Sequence, residues 1–192
     1  MEAPTDIRAK RSISAAVAQR QATDLLELFY PVHYKSNMAL EDAMRGHLTR
    51  KQAAIMWLIR SEGMHGRGMR RKDIERLLQD WFDVSSPAVT KALRALSRLP
   101  LELVRVTEAA DSGREKRVFL TPKGERFLSK MVERGRNFLL ALLPEVGKRL
   151  SEQEVDYGIR FLREGVAAAE HVSARASGNG KGRTRRPPPI SP

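Results

Sequence analysis

The chain contains no cysteine. Disulfides, thiolate metal sites and cysteine-based redox sensing are therefore excluded. Histidine is scarce. His33, His47, His65 and His171 are scattered without metal-ligand spacing, so no metal site is expected. No apolar run approaches the roughly 20 residues that a membrane-spanning helix needs. The stretch ISAAVA that follows the first basic residues is too short for a signal-peptide core. No nucleophile elbow, H-E-x-x-H pair or Rossmann glycine pattern occurs. GNGKG near the end lacks both the spacing of a phosphate loop and a preceding strand. Neither enzymatic activity nor a cofactor is expected, and the partner is not a membrane.

What the chain does have is positive charge. Its 192 residues carry 35 Lys and Arg against 23 Asp and Glu, a formal net charge of +12. A cationic surface of this size favours a polyanion, and nucleic acid first. The excess is unevenly spread. The net charge is +2 over residues 1–20, zero over 21–63, +5 over 64–126, zero over 127–172 and +5 over 173–192. A basic centre between neutral blocks points to one nucleic-acid face rather than a random surface.

The order of elements follows from periodicity and breakers. From Ser12 to about Arg45 the pattern is helical, with Ala22, Leu25, Leu26, Phe29, Val32 and His33 at three- and four-residue spacing. Pro31 should kink or divide this helix, and Gly46 should cap it. LTRKQAAIMWLIRSEG reads as a helix with Thr49 as N-cap and Gly63 as its stop. GMHGRG reads as a loop. RKDIERLLQDWF is a short amphipathic helix with Ile74, Leu77, Leu78 and Trp81 inward. In SSPAVTKALRALSRL, Ser86 is the expected N-cap and Pro87 the first helical residue. Val89, Leu93, Leu96 and Leu99 form its apolar stripe, and Pro100 closes it.

LELVRVTEA alternates like a strand, with Leu101, Leu103 and either Val104 or Val106 inward, and RVFLT is its partner across DSGREK. PKGERFLSKMVERGRNFLLALLP is a long helix with Phe127, Leu128, Met131, Phe138, Leu139 and Leu142 as its apolar positions. The last helix begins at a capping box formed by Ser151 and Glu154. The final twenty residues are rich in Gly, Ser, Arg and Pro and are expected to be disordered.

Two helices joined by a tight turn and followed by a hairpin define a winged helix-turn-helix. The fold class is therefore mainly α (α+β). Residues 1–19 form a basic, partly disordered arm. Residues 20–172 form the domain, with the winged unit at about 48–126, helices suited to dimerisation at about 20–46 and 122–172, and a basic tail at 173–192. The second helix of the motif offers Ser85, Ser86, Ala88, Thr90, Lys91 and Arg94 to a major groove. Arg114, Lys116 and Arg117 sit on the hairpin, and Arg70, Arg71 and Lys72 are placed near the DNA backbone. Tyr30, His33, Tyr34 and Trp57 are candidate walls of a pocket for a small aromatic ligand.

The stretches LTRKQAAIMWLIRSEG, DIERLLQDWFDVSSPAVTKALRALSRL and LVRVTEAADSGREKRVFLTPKGERFL resemble the MarR family of bacterial transcription regulators. With the flanking helices, the resemblance spans about residues 20–172. It implies a cytoplasmic, nucleoid-associated homodimer that binds double-stranded DNA at a palindromic operator. It also implies a repressor whose affinity drops when a small aromatic or phenolic molecule binds. The family's wing usually has Asp-x-Arg. Here Ser112 and Gly113 separate Asp111 from Arg114, one residue more, so Arg114 is the first choice for the minor groove and Arg117 the second. Pro100 stands where the family has a glycine. The alternatives to a regulator are an architectural DNA binder without ligand control and a winged-helix protein-interaction module.

Overall fold

A computed structural model describes residues 14–82, 84–108 and 115–178. The chain divides into two compact units, Met1–Leu139 and Leu140–Pro192.

Helix α1 is Ala15–Tyr30, with the Ser14 hydroxyl accepting from the Val17 amide at its start. Pro31 does not break the path. The chain passes into a π-helical segment, Pro31–Asn37, and then into α2, Met38–Arg45. A proline cannot donate to the helical ladder and crowds the preceding turn, and a wider π-helical turn is one way of absorbing this. Gly46 caps α2 with a φ of +58°, which a glycine adopts without strain.

Helix α3 is Arg50–Ser61. It starts with a full capping box: the Thr49 amide donates to Gln52 Oε1 at 2.9 Å, and the Gln52 amide donates to Thr49 Oγ1 at 3.4 Å. Its C-cap is Glu62, one residue before the expected glycine.

The loop expected at GMHGRG ends in a strand. β1, Gly68–Arg70, pairs antiparallel with β3, Lys116–Leu120, which also pairs with β2, Val104–Glu108. The expected two-stranded hairpin is thus a three-stranded sheet of order β1-β3-β2. Three residues with a leading glycine carry no strand signal of their own, and the partner strand supplies the order.

Helix α4 is Arg71–Phe82 and α5 is Ser86–Ser97. Ser85, not Ser86, is the N-cap of α5, and no side-chain hydrogen bond caps it. The first-turn amides of a helix lack internal partners, so Pro87 sits there at little cost.

One hydrophobic core unites these elements. Ile55, Met56, Leu58 and Ile59 of α3 meet Ile74 and Leu78 of α4 and Val89, Leu93 and Leu96 of α5. The strands add Val104, Val118 and Leu120. Of the two candidate inward residues of β2, Val104 is buried and Val106 is 41% exposed. Leu99 was expected in the buried stripe but is 78% exposed, because α5 ends at Ser97 and the helical period no longer applies.

Helix α6 is Pro122–Gly147, and α7 is Glu152–Gly178. Leu128 and Met131 of α6 join the core, whereas Phe138 is half-buried and Leu139 and Leu142 are exposed. α6 also continues past the expected stop at Pro144. At its start Gly124 is required by close approach, since a Cβ there would fall 1.9 Å from the Leu103 carbonyl oxygen. α7 begins at the expected box, with the Ser151 amide donating to Glu154 Oε2 at 2.8 Å. These bonds hold the Glu154 carboxyl below its ordinary pKa. α7 also runs through Gly178, six residues into the stretch expected to be disordered, where alanine and arginine favour helix. No residue of α1 is buried.

Candidate nucleic-acid interface

A groove of about 360 Å³ lies between α5 and the strands of the wing. Arg71 from α4, Thr90, Arg94, Ser97 and Arg98 from α5 and its end, and Lys116 from β3 line it. Its apolar floor is Leu93 and Val106. No acidic residue lines it, and Arg94, Arg98 and Lys116 form no salt bridge among the described residues. Four cations facing one concavity without a counter-charge form an electrostatic trap for phosphate.

Thr90 sits differently from a free base reader. Its hydroxyl donates to the Ser86 carbonyl at 3.0 Å and accepts from Arg71 Nη2 at 2.9 Å. The hydroxyl is therefore occupied, and its effect is to fix the Arg71 guanidinium against α5. Lys91 and Ser85 are exposed on α5, Ser86 is half-buried, and Ala88 packs against the core. Lys72 is exposed on α4.

Arg70 and Arg117 are not part of this groove. Arg70 Nε lies 2.8 Å from Asp73 Oδ2, and Arg70 Nη1 lies 3.6 Å from Glu115 Oε1. Arg117 Nη2 lies 3.7 Å from Glu115 Oε2. Two cations and two carboxylates thus tie the base of β3 to the start of α4. The Asp73 hydrogen bond, with the two carboxylates' charge, holds the Arg70 guanidinium above its ordinary pKa. Arg114 and the rest of residues 109–114 lie outside the described residues.

Sequence reasoning missed Ser97 and Arg98. Helical spacing does not reach Arg98, because α5 ends at Ser97 and Arg98 is its extended C-cap.

The four residues expected around a ligand also divide. Trp57 lines an apolar cavity of about 300 Å³ with Leu40, Met44, Phe82 and Met131. Tyr30, His33 and Tyr34 do not line it. They meet one another instead: the Tyr30 and Tyr34 rings are tilted with centroids 5.0 Å apart, and His33 meets Tyr34 edge to face at 4.6 Å.

Residues 48–124 match the winged helix DNA-binding domain family. The fold is shared with several solved structures. A MarR family protein from Bacillus stearothermophilus is 16% identical, with a TM-score of 0.62 over 83% of this chain and 99% of that one. A mutant of MarR from E. coli is 20% identical, with a TM-score of 0.57 over 74% and 96%. The transcriptional regulator Tm0710 from Thermotoga maritima is 22% identical, with a TM-score of 0.52 over 81% and 98%. The chain has no match among curated proteins.

The chain therefore carries a winged helix DNA-binding domain. The helices around that domain complete a MarR-like fold. Among the described residues, no helix is long and apolar enough to cross a membrane.

Proposed function

We propose that the protein is a homodimeric transcription regulator that represses by binding a palindromic operator. The observation that carries this reading is the acid-free groove between α5 and the wing, built from Arg71, Arg94, Arg98 and Lys116 in a winged helix DNA-binding domain. α5 enters a major groove, where Arg94 reads a guanine edge and Lys91 with the N-terminal serines holds phosphate. The wing, including Arg114, reaches the adjacent minor groove or backbone.

Exposed apolar surface supports the two-subunit reading. α1 exposes Leu25, Leu26 and Phe29, and α7 exposes Tyr157, Phe161 and Leu162. A monomer would leave these faces in water, and a two-fold partner covers them at once. The apolar cavity at Trp57 supports release by a small, largely apolar ligand. Such a protein works in the cytoplasm on the nucleoid.

The experiment is protection mapping on the DNA flanking the protein's own coding region. Two symmetric half-sites about 10 base pairs apart, centre to centre, are expected. Absence of duplex binding at physiological salt contradicts the reading. The basic tail, with five cations and no acid over residues 173–192, favours a second reading as a non-specific architectural binder. Deleting residues 179–192 separates the two: retained operator preference supports the regulator, and loss of all binding supports the architectural role.

A further inference from the structure

Four residues, 46–49, join α2 to α3. They connect the helices that expose apolar surface to the unit that carries the basic groove. Gly46 turns the chain at φ +58° and ψ −124°, which suits glycine and few other residues. A short joint of this kind is a hinge unless neighbouring groups hold it.

Two sets of contacts hold it, and they differ in strength. On the surface, Asp42 lies 2.8 Å from Arg45 Nε and 3.3 Å from Arg50 Nη2. Ion pairs this exposed contribute little. The other hold comes from α6, 90 residues away in sequence. Arg134 Nε and Nη2 both donate to the Met44 carbonyl, at 2.9 and 2.7 Å. Met44 is in the last turn of α2, where carbonyls lack a partner within the helix and the helix dipole favours a cation. Arg134 is half-buried, so this charge-assisted pair of bonds is screened less than the surface contacts.

The surroundings are shaped around this side chain. The Arg134 guanidinium carbon lies 5.4 Å from the centre of the Phe127 ring, and His47 meets the same ring edge to face at 5.1 Å. A Cβ at Gly46 would fall 3.0 Å from Arg134 Nη2, and one at Gly135 would fall 2.8 Å from Met44 Cγ. α2 and α6 thus approach closely at two glycines, with Arg134 at the crossing. α6 is itself anchored in the domain core by Leu128 and Met131. Arg134 therefore ties the end of α2 to the winged unit, yet it lines no part of the α5–wing groove.

We propose that Arg134 is a positioning residue that sets the spacing between DNA half-sites. By gripping the end of α2 from α6, it fixes the angle between the helices that would pair two subunits and the winged unit that would meet DNA. The inference rests on the reading of the protein as a homodimer on a two-part operator.

The first measurement needs no DNA. The chain has no cysteine, so Gln21→Cys and Lys72→Cys, both at exposed positions, accept spin labels selectively. Labelled full-length chains diluted into excess unlabelled protein report the distance within one chain. Gln21 lies 25 residues before Gly46. That is about 37 Å of helix, so a swing of about 10° moves the label by roughly 6 Å. The distance should be narrow with Arg134 present and at least about twice as broad in Arg134→Met. Arg134→Lys, which keeps a charged donor, should recover most of the narrowness.

The second measurement uses duplexes whose half-sites are moved together or apart by one base pair. The unaltered protein should lose about tenfold in affinity on such a shift, and Arg134→Met less than about threefold. Affinity for a duplex with a single half-site should stay the same, whereas a damaged fold would weaken binding to every duplex alike. An unchanged distance distribution in Arg134→Met would overturn the proposal whether or not the protein binds DNA. So would equal losses on single and paired half-sites, or spacing discrimination that survives the substitution. A broadened distribution with no spacing preference in the unaltered protein would place the failure in the operator reading, and the spacing role would fall with it.

Discussion

The wing carries two sets of basic side chains that composition alone cannot separate. In the groove, Arg71, Arg94, Arg98 and Lys116 face one another with no carboxylate among them. At the base of β3, Arg70 and Arg117 are matched by Asp73 and Glu115 within 3.7 Å. The first arrangement leaves charge available for an incoming phosphate. The second is close to neutral and spends its charge within the domain. Net charge therefore locates the DNA face only coarsely, and pairing decides which cations are free to bind.

This difference sets the expected order of effects. Arg94→Ala should be the most damaging single change, costing about 1–3 kcal/mol at one base pair if the contact is direct. Fluorescence anisotropy on duplexes varied at single positions would reveal it. An equal loss on every sequence would move Arg94 to the phosphate class.

Lys116→Gln should act on all sequences alike. It should reduce the slope of log affinity against log salt by about 0.9, the contribution of one phosphate contact. An unchanged slope would remove Lys116 from the groove's electrostatics.

Thr90→Val keeps the shape of the side chain but frees Arg71. The expected loss is about 0.5–1.5 kcal/mol of binding, the usual worth of one hydrogen bond. A larger loss would mean that the hydroxyl itself meets the DNA.

Glu115→Gln is the smallest change and has the opposite sign. It removes the carboxylate shared by Arg70 and Arg117 and should tighten duplex binding by about two- to threefold, since exposed ion pairs are worth under about 1 kcal/mol. Weakened binding would show that Glu115 positions the wing.

Much of the domain was legible in the sequence because its signals are local. Thr49 and Gln52 announce a capping box three residues apart, and Val89, Leu93 and Leu96 repeat at helical spacing. The strands β2 and β3 alternate around a charged loop. β1 was not legible, because its order comes from Val118 and Phe119, some fifty residues away. The groove was half legible. Thr90, Arg94, Lys116 and Arg71 all lie in stretches whose DNA-facing character is readable, whereas Arg98 lies just past the end of α5, where the helical period gives no guidance.

The neutral network was harder still. Asp73 is three residues from Arg70, a spacing that can be read, but Glu115 meets Arg70 only through the pairing of β1 with β3. For α1 the helical period was readable, yet none of its residues is buried.

The most direct test compares two double variants on one duplex selected from random sequence by the protein itself. Arg94→Ala with Lys116→Ala removes two groove cations. Arg70→Ala with Arg117→Ala removes the same formal charge from the paired network. Affinity measured across a salt series should fall at least about a hundredfold for the first pair, with the slope reduced by about 1–2, and by less than about threefold for the second. Equal losses, or a greater loss from the network pair, would contradict the claim that unpaired cations beside α5 hold the DNA.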